Sequence, residues 1–356
     1  MPLIASIGTA LPPYEIKQEE TRNFARKLFK DSFHDLERLL KVFESTEIDK
    51  RYFCTPKEWF EKEHSWEEKN NLFIENALCL GAEAITDCLR KVNLKPAELD
   101  AFICVTSTGI STPSIDAYLY NLLGMKSGLI RLPIWGLGCA GGVSGIARGL
   151  DLALANPESK VLVCCIEICG LTFIFNDHSK ANLIATSLFA DGAAAALIIG
   201  DQVNPLNVSA YERIPRILCS QSFTWPDTLG VMGWNVQKQG LMVIFSKDIP
   251  ALIIKNMKPQ VESFIHKRKL TPEDISRYIT HPGGTKVLQA YEKALNLEVG
   301  ALDLAKEVLK NHGNMSSCSV LYVLDKELKR KHEQDEYGLM LALGPGFSSE
   351  QVLIQW

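Results

Sequence analysis

The chain has 356 residues, 46% hydrophobic and 22% charged, which is ample apolar material for a sizeable core in two domains or one duplicated one. A formal net charge of −4 with no long basic run argues against nucleic acid as a partner. No apolar stretch reaches membrane-spanning length, and Met1–Ala10 lacks the basic segment of a signal peptide, so a cytoplasmic protein is expected.

In chain order, helices are predicted over Gln18–Phe33 and Asp35–Phe43, and a long one around Asn70–Val92. Leu94–Ile103 then reads as a helix start, with Pro and acidic residues in its first turn, that runs into an apolar strand. A strand over Ile130–Leu137, apolar enough to be read as buried, leads into Gly138-Cys139 and a helix of small residues. Lys160–Glu167 is another strand of the buried type. After Asp201–Pro205 the pattern recurs. Leu270–Ile279 resembles Leu94–Ile103, Gly313-Asn314 and the helix Met315–Lys329 stand where Gly138-Cys139 and its helix stood, and Glu336–Leu343 matches Lys160–Glu167. Three matches in one order imply two halves on one plan, residues 1–205 and 206–356. They imply an α/β fold in which Cys139 and Asn314 occupy equivalent places about a pseudo-two-fold axis.

The chemistry collects at the strand–helix junctions. Cys139 lies among glycines at a helix N-terminus, where unpaired N–H groups and the helix dipole favour thiolate, as a nucleophilic cysteine requires. His281, in Thr280-His281-Pro-Gly-Gly284, follows a strand's C-terminal end, and Asn314 opens the next junction. Of the ten cysteines, Cys79, Cys88, Cys104, Cys164, Cys165 and Cys318 lie in apolar segments and read as packing thiols in a reducing compartment. Cys165 and Cys169 are four apart, but no histidine joins them, and no metal site is expected. His34, His64, His178, His266 and His332 have polar or charged neighbours and read as surface residues.

Together, Trp135–Gly145, Ser187–Ala194, His281–Gly284, Gly313–Ser317 and Gly344–Gly346 resemble the type III polyketide synthases, the family of chalcone synthase, over essentially the whole chain. The overall texture is most similar to bacterial members that make alkylpyrones from fatty acyl-CoA. The resemblance implies a thiolase fold with a layered αβαβα core, a homodimer, and a Cys139–His281–Asn314 triad. It also implies acyl-CoA and malonyl-CoA as substrates, with no metal or redox cofactor. Phe189 matches an aromatic gatekeeper; the second gatekeeper position is Val243, where the aromatic is lost. Cys169, Thr172 and Ser316 match cavity-wall positions, and Gly344, Pro345 and Gly346 match a scaffold loop that lacks its usual aromatic. Arg38 and Lys41 match two of three CoA-phosphate contacts, the third being Ser45. Thr112 stands where plant members reach into the partner subunit, near the apolar helix Tyr118–Leu123.

Rival readings bound the inference. The Cys139–His281 spacing fits a papain-like protease, but the signature around its cysteine is missing. A thiolase would need a second cysteine near Gly344–Gly346, and a hydroxymethylglutaryl-CoA synthase a glutamate acid near Cys139. The alternatives kept are a ketosynthase of the 3-oxoacyl-[acyl-carrier-protein] synthase III type, which condenses once, and chalcone- or stilbene-type use of aromatic starters. A non-catalytic acyl-CoA-binding protein would not need Cys, His and Asn together.

Overall fold

The computed structural model describes residues 1–205 and 209–356, so the expected start of the second half, at residue 206, lies outside the described residues. The chain opens with β1 (Leu3–Ala10), β2 (Tyr14–Lys17) and α1 (Gln18–Leu28). Where one helix was expected over Asp35–Phe43 there are two short ones, α2 (Leu36–Leu40) and α3 (Val42–Ser45), followed by β3 (Lys50–Phe53). The long helix α4 (Trp66–Arg90) starts earlier than its apolar pattern suggests, because Ser65 caps it by accepting from the Glu68 N–H. Then come β4 (Ala101–Thr106), α5 (Ile115–Leu123), β5 (Ile130–Trp135), α6 (Gly141–Ala155), β6 (Lys160–Ile168), α7 (Lys180–Leu188) and β7 (Asp191–Ile199). The second half contains β8 (Arg216–Thr224), the hairpin β9 (Met232–Gln237) and β10 (Gly240–Phe245), and α8 (Ile249–His266). It closes with β11 (Ile275–Thr280), α9 (Thr285–Leu295), α10 (Asp303–His312), α11 (Ser319–Leu328), β12 (Tyr337–Gly344) and β13 (Ser348–Gln355).

Nine strands form one sheet in the order β11-β12-β13-β8-β1-β7-β6-β4-β5. In the first half β4 and β6 are parallel and β6, β7 and β1 antiparallel; in the second, β11 and β12 are parallel and β12, β13 and β8 antiparallel. The halves thus repeat a strand pattern, and β1 meets β8 in the sheet where Leu3 pairs with Arg216. The repeat extends to detail. Pro96–Glu98 and Pro272–Asp274 are both short 3-10 turns, each closed by an acidic side chain that accepts from the backbone N–H three residues earlier, and each feeds the matching strand. Cys139 lies in the 3-10 turn Gly138–Ala140 ahead of α6; Asn314 precedes the turn Ser316–Cys318 ahead of α11.

Helices α6 and α11 form the middle layer. α6 packs against β4, β6 and β7 of its own half and β8, β12 and β13 of the other, while α11 packs on β11, β1 and β7. Outside the first half, α4 covers β1, β6 and β7. The result is the layered α/β architecture expected of the chain.

Three expectations fail here. β5 is not buried: it is the sheet edge, and Ile130 and Trp135 are 56% and 49% exposed. Apolar composition registers the need for cover but not what supplies it. His332 is a core residue, stacked on Trp356 and hydrogen-bonded to the Glu327 carbonyl, whereas Cys79 is exposed.

The middle layer exists because glycines let it close. A Cβ on Gly142 would lie 2.3 Å from the Ser317 carbonyl oxygen and 2.6 Å from Val320 Cγ1. Gly142→Ala would gain up to about 1 kcal/mol of helix propensity on a free helix. Here backbone blocks the methyl group, so the variant loses about 1–3 kcal/mol through overpacking, to be seen as a lower urea midpoint at unchanged slope.

Candidate active site

The turns before α6 and α11 bring the expected residues together. Cys139, His281 and Asn314 are 7%, 3% and 1% exposed. The Cys139 thiol faces Asn314 Oδ1 at 3.9 Å. That oxygen also accepts from the Ser316 N–H at 2.9 Å, while Asn314 Nδ2 donates to the Gly283 carbonyl at 3.2 Å, so the amide's orientation is fixed by its partners. One Nδ2–H is left for a ligand. Gly283 lies against the His281 ring, where an added Cβ would stand 3.4 Å from Cδ2. Neither His281 nitrogen has a hydrogen-bond partner, so both remain free for substrate chemistry.

The sequence led us to expect a thiolate favoured by the helix terminus. Burial overrides that expectation: it pushes the Cys139 thiol up to about 12, although hydrogen bonding with Ser316 and Asn314 pulls the other way. Burial likewise pulls the His281 imidazole down to about 3. Each charge is penalised when formed alone.

The other expected residues separate into groups. Phe189, Val243, Cys169 and Thr172 are brought together and line one cavity of about 280 Å³. Ser316, in the left-handed region at φ 49°, is drawn instead against Cys139. The loop Gly344-Pro345-Gly346 braces the Cys139 turn: a Cβ on Gly344 would meet the Leu137 oxygen at 2.3 Å, and one on Gly138 the Pro345 ring at 2.9 Å. Arg38 and Lys41 are not brought to this cavity. Both are exposed; Arg38 is paired with Asp35 and borders a separate shallow basic groove with Lys30 and His34.

Four supports were missed in the sequence. Phe189 is bridged to Asn314: the Ala190 N–H donates to the Asn314 carbonyl and the Asn314 N–H to that of Leu188, both at 2.9 Å. Buried Arg51 donates from Nη1 to the carbonyls of Thr186 and Phe189 at 2.8 and 2.7 Å. Asp191 accepts from the Cys54 and Gly170 N–H groups and so anchors the wall that carries Cys169 and Thr172. Burial pulls Arg51 down to about 9 and pushes Asp191 up to about 6, each partly countered by the other's charge. Glu167 ends β6 fully buried, with its carboxyl held by Ser107, Thr108 and Ser317. Burial raises its pKa against those hydrogen bonds. A carboxylate closing an otherwise apolar strand was its one visible signal.

A layered, internally duplicated α/β fold with Cys, His and Asn converging at paired helix starts defines a condensing enzyme of the thiolase type. The chain belongs to the chalcone and stilbene synthase family, the type III polyketide synthases, which are decarboxylating condensing acyltransferases. The family's "Chalcone and stilbene synthases, N-terminal domain" matches residues 2–202 and its C-terminal domain residues 216–356. Among its relatives, a Bacillus subtilis (strain 168) protein named "Putative chalcone synthase" is 46% identical over all of this chain and 99% of its own length. The 1,3,6,8-tetrahydroxynaphthalene synthase of Streptomyces peucetius subsp. caesius is 33% identical over 99% of this chain and 93% of its own. The crystal structure of 1,3,6,8-tetrahydroxynaphthalene synthase from Streptomyces coelicolor A3(2) superposes with a TM-score of 0.92 at 27% identity, covering 99% of both chains.

If His281 holds the counter-charge of Cys139, His281→Ala will move the pH profile of Cys139 alkylation by iodoacetamide upward by about 1–3 units, towards the value burial alone dictates. Superimposable profiles would show that the imidazole does not set the thiol's charge.

Proposed function

We propose that this type III polyketide synthase loads a long-chain fatty acyl-CoA on Cys139 and extends it with malonyl-CoA, releasing alkylpyrone-type tri- and tetraketides. The observation that carries the starter assignment is the cavity behind the gate. From Phe189, Val243, Cys169 and Thr172 it runs towards α1 between apolar walls that include Phe24, Phe53, Phe60 and Phe173. Such a lining suits a hydrocarbon tail, and Val243 leaves the gate wider than an aromatic would.

In the mechanism, the Cys139 sulfur attacks the starter's thioester carbonyl and expels CoA thiolate, leaving an acyl-Cys139 thioester. His281 takes the thiol proton. Malonyl-CoA then loses CO₂, and the electron pair of the broken C–C bond moves into an enolate. Its oxygen receives hydrogen bonds from His281 and from the free Nδ2–H of Asn314, fixed donors that act most strongly as that charge develops. The enolate carbon attacks the acyl-Cys139 carbonyl, forms the new C–C bond and frees the Cys139 sulfur. No step calls for a metal or redox cofactor. Arg38 and Lys41, exposed and outside the cavity, are assigned to the CoA phosphates, and the enzyme is assigned to the cytoplasm.

We also assign a homodimer to this chain. The edge strand β5 carries unpaired backbone and exposed Ile130 and Trp135, and Ile110, Tyr118 and Leu122 near it are exposed as well. Thr112, exposed in the loop before α5, belongs to the same face. Light scattering should give twice the chain mass for the wild type and a smaller species for Ile130→Asp.

The direct test incubates wild type and Cys139→Ala with palmitoyl-CoA and malonyl-CoA and follows products by mass spectrometry. Tri- and tetraketide pyrones from wild type alone are expected. Acylation of Cys139 without extension would favour the single-condensation ketosynthase, and turnover restricted to aromatic starters would favour the chalcone- or stilbene-type reading. Formation of 1,3,6,8-tetrahydroxynaphthalene would transfer the Streptomyces relative's activity to this chain.

A further inference from the structure

The two carbonyls that Arg51 holds do not use up its donors. The residue is 1% exposed, yet of its five N–H groups only those of Nη1 find acceptors, at Thr186 and Phe189. Nε and Nη2 are buried with no hydrogen-bond partner among the described residues, which leaves three N–H groups free. Asp191 tempers the charge from nearby, but its carboxylate oxygens accept from the Cys54 and Gly170 N–H groups instead. The side chain is also fixed in place. A Cβ on Gly313 would stand 2.6 Å from Arg51 Cγ and Cδ, so the stem is wedged against the residue before Asn314. The guanidinium lies 5.4 Å from the centre of the Phe53 ring. Arg51, Phe53, Thr186 and Phe189 all line the cavity that Cys169 and Thr172 share. This wall, otherwise suited to hydrocarbon, thus holds one rigid cation with donors to spare. A purely apolar tail packed against it would exclude water and leave those donors unpaired, which costs more for a charged group than for a neutral one.

We propose that the free edge of Arg51 is a binding site for an oxygen atom carried on the acyl chain, a hydroxyl or keto oxygen held within the cavity. Nε–H and one Nη2–H lie side by side on a planar guanidinium, so a single oxygen can accept from both. A neutral oxygen fits better than a carboxylate, because the charge of Asp191 already offsets that of Arg51. Such an oxygen has two sources: the starter can bring it as a hydroxyl, or an extension can leave it as a ketone. The proposal rests on the polyketide synthase reading and not on the length of the starter.

The test gives wild type, Arg51→Lys and Arg51→Met malonyl-CoA with an equal mixture of palmitoyl-CoA and 3-, 7- or 12-hydroxypalmitoyl-CoA, and sorts the products by mass. Arg51→Lys keeps a charged donor for the Thr186 and Phe189 carbonyls but loses the free edge; Arg51→Met keeps only the stem. Both readouts are ratios within one sample, so loss of active enzyme does not imitate them. An oxygen brought by the starter will show as a preference of about tenfold for one hydroxylated chain in wild type, the effect of one hydrogen bond to a charged donor, that is lost in both variants. An oxygen left by extension will show as no starter preference but a triketide-to-diketide ratio about tenfold lower in both variants than in wild type. If neither ratio moves in either variant, the edge of Arg51 meets water only and the proposal is overturned. Should wild type extend none of these long starters, the fatty reading fails, and the triketide-to-diketide ratio from hexanoyl-CoA decides Arg51 by the same rule.

Discussion

The close crossing of α6 and α11 is the constraint on which the rest depends. Gly142 admits the backbone of Ser317, and Ser317 Oγ donates to Glu167 at 2.6 Å. Helix to helix and helix to strand, the two halves are locked where their equivalent turns meet. Cys139 ends one turn's approach to its helix and Asn314 begins the other, so the distance between thiol and amide is set by interior packing rather than by loops. A catalytic geometry built this way tolerates little adjustment, because every glycine at the crossing has backbone or a branched side chain where its Cβ would be.

That rigidity carries an electrostatic cost. Arg51, Asp191, Glu167, His281 and Cys139 are all withdrawn from water, and burial opposes the charged form of each. The structural members of this set are met by fixed partners: carbonyls for Arg51, backbone N–H groups for Asp191, hydroxyls for Glu167. His281 alone among them has neither nitrogen bonded. A partner that satisfied the ring permanently would also fix its proton, and His281 has none among the described residues.

Much of this was legible in the sequence, and the illegible part has physical causes. The repeat was visible because each half must rebuild the same strand–turn–helix junction, and the Pro and acidic residues of Leu94–Ile103 and Leu270–Ile279 mark it directly. Cys139, His281 and Asn314 followed from those junctions together with the family resemblance. The exposure of β5 was hidden, because an apolar strand looks alike whether a helix or another chain covers it. The neutral state of the Cys139 thiol was hidden too, since helix-end stabilisation is local whereas desolvation depends on the whole fold. Trp234 gave no signal at all: its ring comes beside Phe189 through the pairing of β9 with β10 and a hydrogen bond to the Ser107 carbonyl, 127 residues distant. Glu167 showed only as a lone charge closing an apolar strand.

The bridge between Phe189 and Asn314 has a further consequence for how such a molecule can change. The lining of the cavity and the Asn314 amide share one piece of backbone there, so a movement that opened the passage at Phe189 would also turn that amide. Selection acting on substrate range is thereby steered away from that strand. The two-stranded ribbon that carries Trp234 and Val243 is separate from the nine-stranded sheet. New specificities can be tried on it while the machinery beneath keeps its alignment, much as a die is exchanged in a press whose frame stays fixed.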